Sequence, residues 1–528
     1  MIASLYILSL VILLVYTFFK YRYELHMMQL NSYMPDRYFK WLKKDFLSVT
    51  RLTELAALII ISLLLVFHLF ILASVSCILL FGVLSFKFFK NNPKKPLVFT
   101  KRAIRLLITM FLVTFGILFL LEKFTDTSKY ALIIWWIALL LNSPQIISIA
   151  VLLTYPIENY IKNWYYKDAQ RILREMPNLT IIGITGSYGK TSTKHFLHRI
   201  LSEKYNVLMT PGSYNTTMGV VLTIRQKLKP THQVFIVEMG AKKLGDIKEI
   251  CDLVHPTIGI LTSVGEAHLE TFKSLENVKK TKFELIDALP SGGLGVLNSD
   301  YDPIKNNISP FQSAIEHYAS TDIGVANYME TVQYSTSGST FTIVLNQNQK
   351  IDLETKLLGV HNLSNMLASI IVAKHLGIDN DSIRYAVSKI RPVEHRLEIK
   401  NNRSGVTVID DAFNSNPVGA KMALDVLKAI DGKRKIIITP GMIELGTKQY
   451  DYNKIFGTQM ADTCDYVILV GKAITKPIFD GLLAVGYNEK NIFVAHNLND
   501  ATRHLNGMMR QGDVLLYEND LPDTYEQT

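Results

Sequence analysis

Long apolar runs fill the first 155 residues of this chain, and beyond them short apolar runs alternate with amphipathic stretches. Residues 2–19 form the first run, with Lys20 and Arg22 behind it. A cleaved signal peptide carries its basic residues in front and ends on small residues, so this run is expected to persist as an anchor helix. Residues 55–89 stay apolar for 35 positions, interrupted by His68, Lys87 and a few small polar residues. One membrane span takes about 20 residues, so this stretch predicts two helices, 55–72 and 74–89, turning near residues 73–76. Runs at 106–121 and 130–153 complete a multi-spanning α-helical membrane region of about five helices over residues 1–155.

The charges between these runs bear on their number. Residues 20–54 carry seven Lys or Arg against four acids, residues 90–105 carry six and no acid, and residues 122–129 carry two of each. Under the positive-inside rule the two basic segments are cytoplasmic and the balanced one lies outside. Two cytoplasmic segments must be separated by an even number of spans, which agrees with two helices over 55–89. Five spans then leave the rest of the chain in the cytoplasm. The segment 21–46 also mixes Tyr, Phe and Trp with Lys and Arg, which suits anchoring at a membrane interface better than nucleic acid. The net charge of +10 is explained in the same way. No charge falls clearly mid-span, so no transport pathway is expected.

From residue 179 onward, β-branched runs at 180–185, 234–240, 257–265 and 294–300 end in Gly, Asp or Asn and lead into amphipathic stretches. That alternation predicts a parallel sheet flanked by helices, hence an α/β fold. Residues 332–358 alternate polar and apolar positions with turn signals, which predicts an antiparallel hairpin. A second alternating series occupies 406–411, 435–441, 466–471, 492–495 and 514–518. Two α/β domains are therefore expected, 177–390 and 391–528. The three cysteines, Cys77, Cys251 and Cys464, are far apart and form no metal or disulfide spacing.

The strand at 180–184 runs into Thr185-Gly186-Ser187-Tyr188-Gly189-Lys190-Thr191-Ser192. Glycines there let backbone N–H groups approach phosphate oxygens, and the following helix adds a favourable dipole. Lys190 is placed to reach the β- and γ-phosphates and Thr191 to help hold Mg²⁺. Ile184 stands where the common spacing has its first glycine, yet the strand–loop–helix context is kept. Glu238 closes an apolar strand, and His268 lies beyond the next one. Ligands bind at the carboxyl ends of such strands, so both are candidates for a nucleotide and its metal.

Together with Tyr214-Asn215-Thr216-Thr217-Met218-Gly219, Glu238-Met239-Gly240-Ala241, Ala267-His268-Leu269-Glu270 and Lys282, this loop resembles the Mur ligases. His361-Asn362, Asn365, His395-Arg396-Leu397, Asp410 to Pro417 and Gly441-Met442-Ile443-Glu444-Leu445-Gly446 continue the series in family order. Within the family the resemblance is strongest to the branch that adds D-alanyl-D-alanine to the peptidoglycan precursor. It implies a P-loop ATP-binding domain, a Rossmann-like C-terminal domain, and transfer of the ATP γ-phosphoryl to a carboxylate before an amine attacks. It also implies Glu238 and His268 on a second Mg²⁺, and Lys282 as a carbamylated lysine beside the metals. Asn298 and Asn362 would lie near adenine, with Arg396 and Asp411 on the nucleotide, and catalysis would rest on Lys190, Lys282, His268 and Arg396. Asn215, Thr216, Asn414 and Asn416 would face substrate.

Three departures bear on the substrate. Membrane helices take the place of the family's soluble uridine-nucleotide-binding domain. Residues 517–523 are acidic where a basic, Gly-containing turn is usual, and His395 replaces the usual Gly before Arg396. The expected partners are therefore a cell-wall precursor, soluble or lipid-linked, an amino acid or dipeptide, and membrane lipids, with no nucleic acid. A poly-amino-acid or folate-type glutamyl ligase shares the chemistry. A nucleotide-binding membrane scaffold would bind ATP without making an acyl phosphate.

Overall fold

The computed structural model describes residues 2–44, 49–89, 96–124, 130–265, 269–307, 310–320, 322–335, 338–346, 348–391, 395, 397–401, 405–412, 415–443 and 445–520. Two compact units divide near Asn163.

The first unit is helical: α1 (Ile2–Leu30), α2 (Pro35–Lys44), α3 (Val49–Val66), α4 (Phe70–Phe89), α5 (Lys101–Phe124), α6 (Ala131–Leu141) and the start of α7 (Ser143–Arg174). The apolar run 2–19 is only the front of α1. Lys20 and Glu24, expected in a loop, are helical and buried. Lys20 pairs with Glu54 of α3 at 2.9 Å and lies 3.9 Å from Glu24, while Arg51 is 3.9 Å from Glu24. Tyr16 donates to Glu54, and Tyr38 and Ser143 donate to Glu24. Opposite charges drawn from two helices satisfy one another, which is how ionisable groups enter such an interior.

The break in the run 55–89 falls at residues 67–69, not at 73. His68 adopts φ 57°, and the N–H of Leu69 donates to the Leu64 carbonyl at 2.8 Å. A left-handed residue with such a bond closes a helix, and His accepts that conformation more readily than the branched residues around it. The expected single span 130–153 is instead two helices bent by 74°. Pro144 follows Ser143 directly, so α6 has no N–H there to continue its ladder. Among the described residues, α1, α4 (over Phe70–Phe88) and α5 are long and apolar enough to cross a membrane, and the bent α6–α7 pair makes four. The expected five would need α3 as well, an apolar helix of 18 residues.

The second unit holds two sheets. In the first, β1 (Thr180–Thr185), β2 (Val207–Met209), β3 (Val234–Glu238), β4 (Ile258–Leu261), β5 (Leu294–Asn298), β6 (Ala314–Ala319), β7 (Asn327–Ser335), β8 (Gly338–Leu345) and β9 (Gln349–Thr355) lie in the order β2-β3-β1-β4-β5-β6-β7-β8-β9. Strands up to β7 pair in parallel, and β7, β8 and β9 are antiparallel. The predicted hairpin is thus part of a three-stranded meander on the same sheet. Helices α8 (Lys190–Leu201), α9 (Thr217–Lys227) and α10 (Asp246–Val254) follow β1, β2 and β3. Separate apolar cores form on the two faces of the sheet, one around Ile182, Ile184 and Phe196 and one around Phe235, Val237 and Leu285. A parallel sheet needs both faces covered.

The second sheet has β10 (Glu398–Asn401), β11 (Thr407–Asp411), β12 (Arg434–Thr439), β13 (Tyr466–Val470), β14 (Ile492–Ala495) and β15 (Asp513–Glu518), in the order β10-β11-β15-β12-β13-β14. Only β10 is antiparallel to its neighbour. It is too short and too charged to register as a strand in the sequence pattern.

Candidate functional site

β1 lies between β3 and β4, with Ile184 beside Glu238 and Thr185 beside Leu261. This register brings the loop 186–189 and the Glu238 carboxylate to one carboxyl edge. Gly186 adopts φ 154°, and a Cβ there would stand 2.0 Å from Thr262 Oγ1. Gly189 adopts φ 80°, and its Cβ would stand 2.5 Å from Asn365 Oδ1. Neither position admits a side chain. The loop is fastened to the end of β4: the N–H groups of Ser187 and Tyr188 donate to Ser263 O (3.0 Å) and Ser263 Oγ (2.6 Å). Thr185 Oγ1 donates to Met239 O at 2.9 Å, and Ser192 is buried at the start of α8. Lys190 folds back, its ammonium donating to Gly186 O at 2.7 Å.

Glu238 is held on several sides. Thr191 Oγ1 and Asn215 Nδ2 donate to its Oε1 at 3.1 and 3.3 Å, and Lys194 pairs with Oε2 at 2.8 Å. Lys194 is fully buried and also donates to Gly212 O at 2.6 Å. Burial opposes ionisation of Glu238, but the Lys194 and Lys190 ammonium groups outweigh it and hold the carboxyl below its usual range. Asn215, expected on substrate, thus serves this carboxylate. Adjacent hydroxyl and carboxylate oxygens fit a hard cation whose shell is completed by phosphate and water. Among the described residues no group of three or more His, Cys, Asp or Glu assembles a metal site by itself.

Lys282 sits in the helix Leu275–Asp287 and is buried. Burial first, and the charge of Lys190 second, push its pKa well below the ordinary lysine value. That direction is toward the neutral amine, the form that reacts with CO₂. Asn298 ends β5 and donates to Thr262 O at 2.9 Å, while Asn362 donates to Leu358 O at 2.9 Å. Thr216 and Asn416 are helix N-caps, accepting from Gly219 N at 3.3 Å and Gly419 N at 2.9 Å. Their observed contacts are with their own backbone. His268, Arg396 and Asn414 lie outside the described residues.

In the second sheet Asp411 ends β11 and accepts from the Leu397 N–H at 3.2 Å. His395 adopts φ 58°, which explains a glycine at this place in the resemblance. Its Nδ1 is 2.8 Å from Asp410 Oδ2, a contact that offsets the strain. Glu518 ends β15 fully buried, accepting from Ser415 and, at 2.8 Å, from Thr439. Burial raises its pKa from 4.5 to about 7, with the two hydroxyls opposing the rise and Asp411 adding to it. The folded-state value lies above the unfolded one, so its contribution is complete below about pH 4.5 and is lost as pH rises through about 7. Glu518→Gln does not titrate. Its unfolding free energy, measured against wild type by denaturant titration, should therefore improve by on the order of 3 kcal/mol between pH 5 and pH 8. A difference independent of pH would contradict this.

The sequence pattern missed Lys194, the Thr262–Ser263 clasp and Glu518, and it named Asn365 without its place beside Gly189. Lys194 did leave a signal, since it lies one turn beyond Lys190 on the same side of α8.

Residues 184–373 match the Mur ligase middle domain, and residues 395–517 match the Mur ligase glutamate ligase domain. The chain is 30% identical over 308 residues to the UDP-N-acetylmuramoyl-tripeptide–D-alanyl-D-alanine ligase of Bacillus subtilis (strain 168), a match covering 58% of this chain and 65% of that protein. It is 27% identical over 328 residues to the ligase of the same name from Escherichia coli (strain K12), covering 62% and 69%. It thus spans just under two thirds of the Bacillus relative's length. Among solved structures, the MurF ligase of Thermotoga maritima in complex with ADP superposes with a TM-score of 0.61 at 24% identity, covering 69% of this chain and 81% of that one. A pseudomurein peptide ligase type C from Methanothermus fervidus gives 0.51 at 17%, covering 66% and 78%. At these identities the structural likeness speaks for the fold. Through its middle and C-terminal α/β domains, this chain belongs to the Mur ligase family.

Proposed function

We propose that the chain is an ADP-forming amide ligase that joins D-alanyl-D-alanine to a muramoyl tripeptide precursor at the cytoplasmic face of the cell membrane. The observation that carries this reading is the convergence of Lys190, Thr191 and Glu238 at the carboxyl edge of β1 and β3. Relatives that match over both α/β domains bear the name of that reaction.

In this reading the loop N–H groups and Lys190 hold the ATP phosphates. A carboxylate oxygen of the acceptor forms a bond to the γ-phosphorus as the bond to the bridging oxygen breaks, releasing ADP. The amine then bonds to the acyl carbon, phosphate leaves with the electron pair of its C–O bond, and the nitrogen loses a proton. Catalysis of the first step is positioning plus charge neutralisation, which Lys190, Thr191 and Glu238 supply. Mg²⁺, held by Thr191 and Glu238 and by His268 as the resemblance implies, would screen phosphate charge. Lys282 would serve there as its carbamate, because an ammonium would repel the metal whereas the carbamate supplies an anion. Dialysis at low pH against CO₂-free buffer should then lower turnover at least about tenfold, with bicarbonate restoring it. Turnover indifferent to bicarbonate would count against the modification.

The helical unit supplies the membrane part of the proposal. In this reading α1, α3, α4 and α5 cross. Helix α6, at 11 residues about 16 Å long and so short of a full span by itself, carries the chain alongside α1 back to the side of the basic segments, which puts the ligase domains on the cytoplasmic side. Anchoring raises the local concentration of an acceptor in the same membrane, so the proposed acceptor is the lipid-linked tripeptide. Purified full-length protein with ATP and D-alanyl-D-alanine should extend this acceptor by one dipeptide per ADP released, as read by mass spectrometry. Extension of the uridine-nucleotide tripeptide alone would remove the lipid-linked part. Product from neither acceptor would sink the assignment.

A further inference from the structure

The bend between α6 and α7 gives α7 a different role from the helices before it. α6 runs alongside α1: the Tyr130 ring meets Tyr6 at 5.3 Å, Trp136 donates to Thr17 at 3.0 Å, and Ser143, first in α7, donates to Glu24 at 2.8 Å. The exposed apolar residues of α1 end at Phe18. Glu24 lies six residues on, about 9 Å farther along the helix. By Ser143, therefore, the chain has reached the end of α1 that carries the basic segment. Fifteen residues later, Glu158 accepts from Arg105 at 2.7 Å and stands 4.0 Å from Arg102. Both arginines belong to the first turns of α5 and are the last basic residues of the other basic segment, 90–105.

The two anchors of α7 thus mark the same side of the unit, although about 22 Å of helix separates them. A crossing helix would put them at different depths. The 74° turn away from α6 agrees with a helix lying across the bundle. Along this part of α7, Ile149, Leu152, Leu153, Tyr155, Ile157 and Tyr160 are exposed. Ile149, Leu153, Ile157 and Tyr160 recur at the three- and four-residue spacing of one helix face, and Leu152 and Tyr155 widen it on one side. Ile146, Ile147, Ala150 and Thr154 are buried in the unit.

Resting on the membrane reading above, we infer that residues 143–160 form an in-plane helix whose Ile149–Leu153–Ile157–Tyr160 stripe is seated in the cytoplasmic leaflet at the headgroup boundary. The occupant of the stripe is lipid because the stripe is exposed on the unit whose α1 and α5 also expose apolar residues, including Val11, Phe18, Ile108 and Leu112, and its helix is tied by Glu158 to the basic start of α5. A helix of this kind lies in the interface rather than spanning it.

The test uses the full-length protein in vesicles of phosphatidylglycerol and phosphatidylcholine. Single nitroxide labels go on Ile149→Cys, Leu153→Cys, Ile157→Cys and Tyr160→Cys, with Val11→Cys, Leu112→Cys and Asp425→Cys, the last at an exposed position of the second α/β domain, as references. The native cysteines Cys77, Cys251 and Cys464 are buried, so labelling is confined to the introduced sites. Collision with oxygen against a water-soluble nickel chelate reads depth. The four stripe labels should share one shallow depth, Asp425→Cys should be aqueous, and Val11→Cys and Leu112→Cys deep. A depth gradient of roughly 16 Å from 149 to 160, as in a crossing helix, would overturn the inference. So would nickel access to all four stripe labels while the deep references stay protected, or dipolar broadening that shows a second copy on the stripe. Aqueous labels at Val11→Cys and Leu112→Cys would overturn the membrane reading itself and this inference with it.

Discussion

Lys190→Ala is expected to lower ADP release by about 10²–10³-fold, the loss seen when one aimed charge or donor is removed from a transition state. The lysine opens α8 directly behind Gly189, and its ammonium now donates to the carbonyl of Gly186. Phosphate oxygens at the loop would draw it from that carbonyl, since a charged acceptor makes the stronger bond. Phosphoryl transfer offers the protein little covalent work, so a misplaced or missing charge is felt almost entirely in rate. Lys190→Arg should not restore the rate, because a planar guanidinium cannot replace a compact ammonium in a glycine-walled loop. The core beneath α8 is built from Phe196, Leu197 and Ile200, so the alanine variant should fold and melt as wild type. Turnover within tenfold of wild type, in a variant that melts normally, would remove Lys190 from the mechanism.

The parts of the fold visible in the sequence are those where one short stretch carries the whole signal. The loop 185–192 is such a stretch: a buried strand, two glycines with nowhere to put a side chain, and a helix. Glu238 was visible because a carboxylate closing an apolar strand is costly without a partner. Lys194, which is that partner, was not, since a lysine in an amphipathic helix resembles a solvated face until the fold closes over it. The same limit applies to Lys20 and Glu24. Their partners Glu54 and Arg51 arrive from another helix, so composition alone put them in a loop. The α6–α7 bend was lost because hydropathy is blind to direction, although Pro144 marked the place.

Lys194 gives the largest expected effect on stability. Lys194→Met keeps much of the aliphatic stem but removes the ammonium 2.8 Å from Glu238 Oε2. The carboxylate is then left buried with only Thr191 and Asn215 donating to it. Breaking one side of a buried pair costs about 3–5 kcal/mol, because the surviving charge stays desolvated. The loss should appear in denaturant unfolding of the purified protein. Glu238→Gln in the same background removes the orphaned charge, so the double variant should be more stable than Lys194→Met alone. Replacing both members of a buried pair is far less damaging than replacing one. If the double variant were instead as unstable as the sum of the two single variants, the ion pair would not be what Lys194 contributes, and its bond to Gly212 O would be the part that matters. The pair also has a consequence for the metal. Lys194 occupies Oε2, which leaves Oε1, the oxygen facing Thr191, as the oxygen offered to a cation. Lys194→Met removes a positive charge beside this carboxylate and frees Oε2, so Mg²⁺ binding in the presence of ADP should tighten even as stability falls, whereas a lysine that acts only through its bond to Gly212 O would alter stability alone.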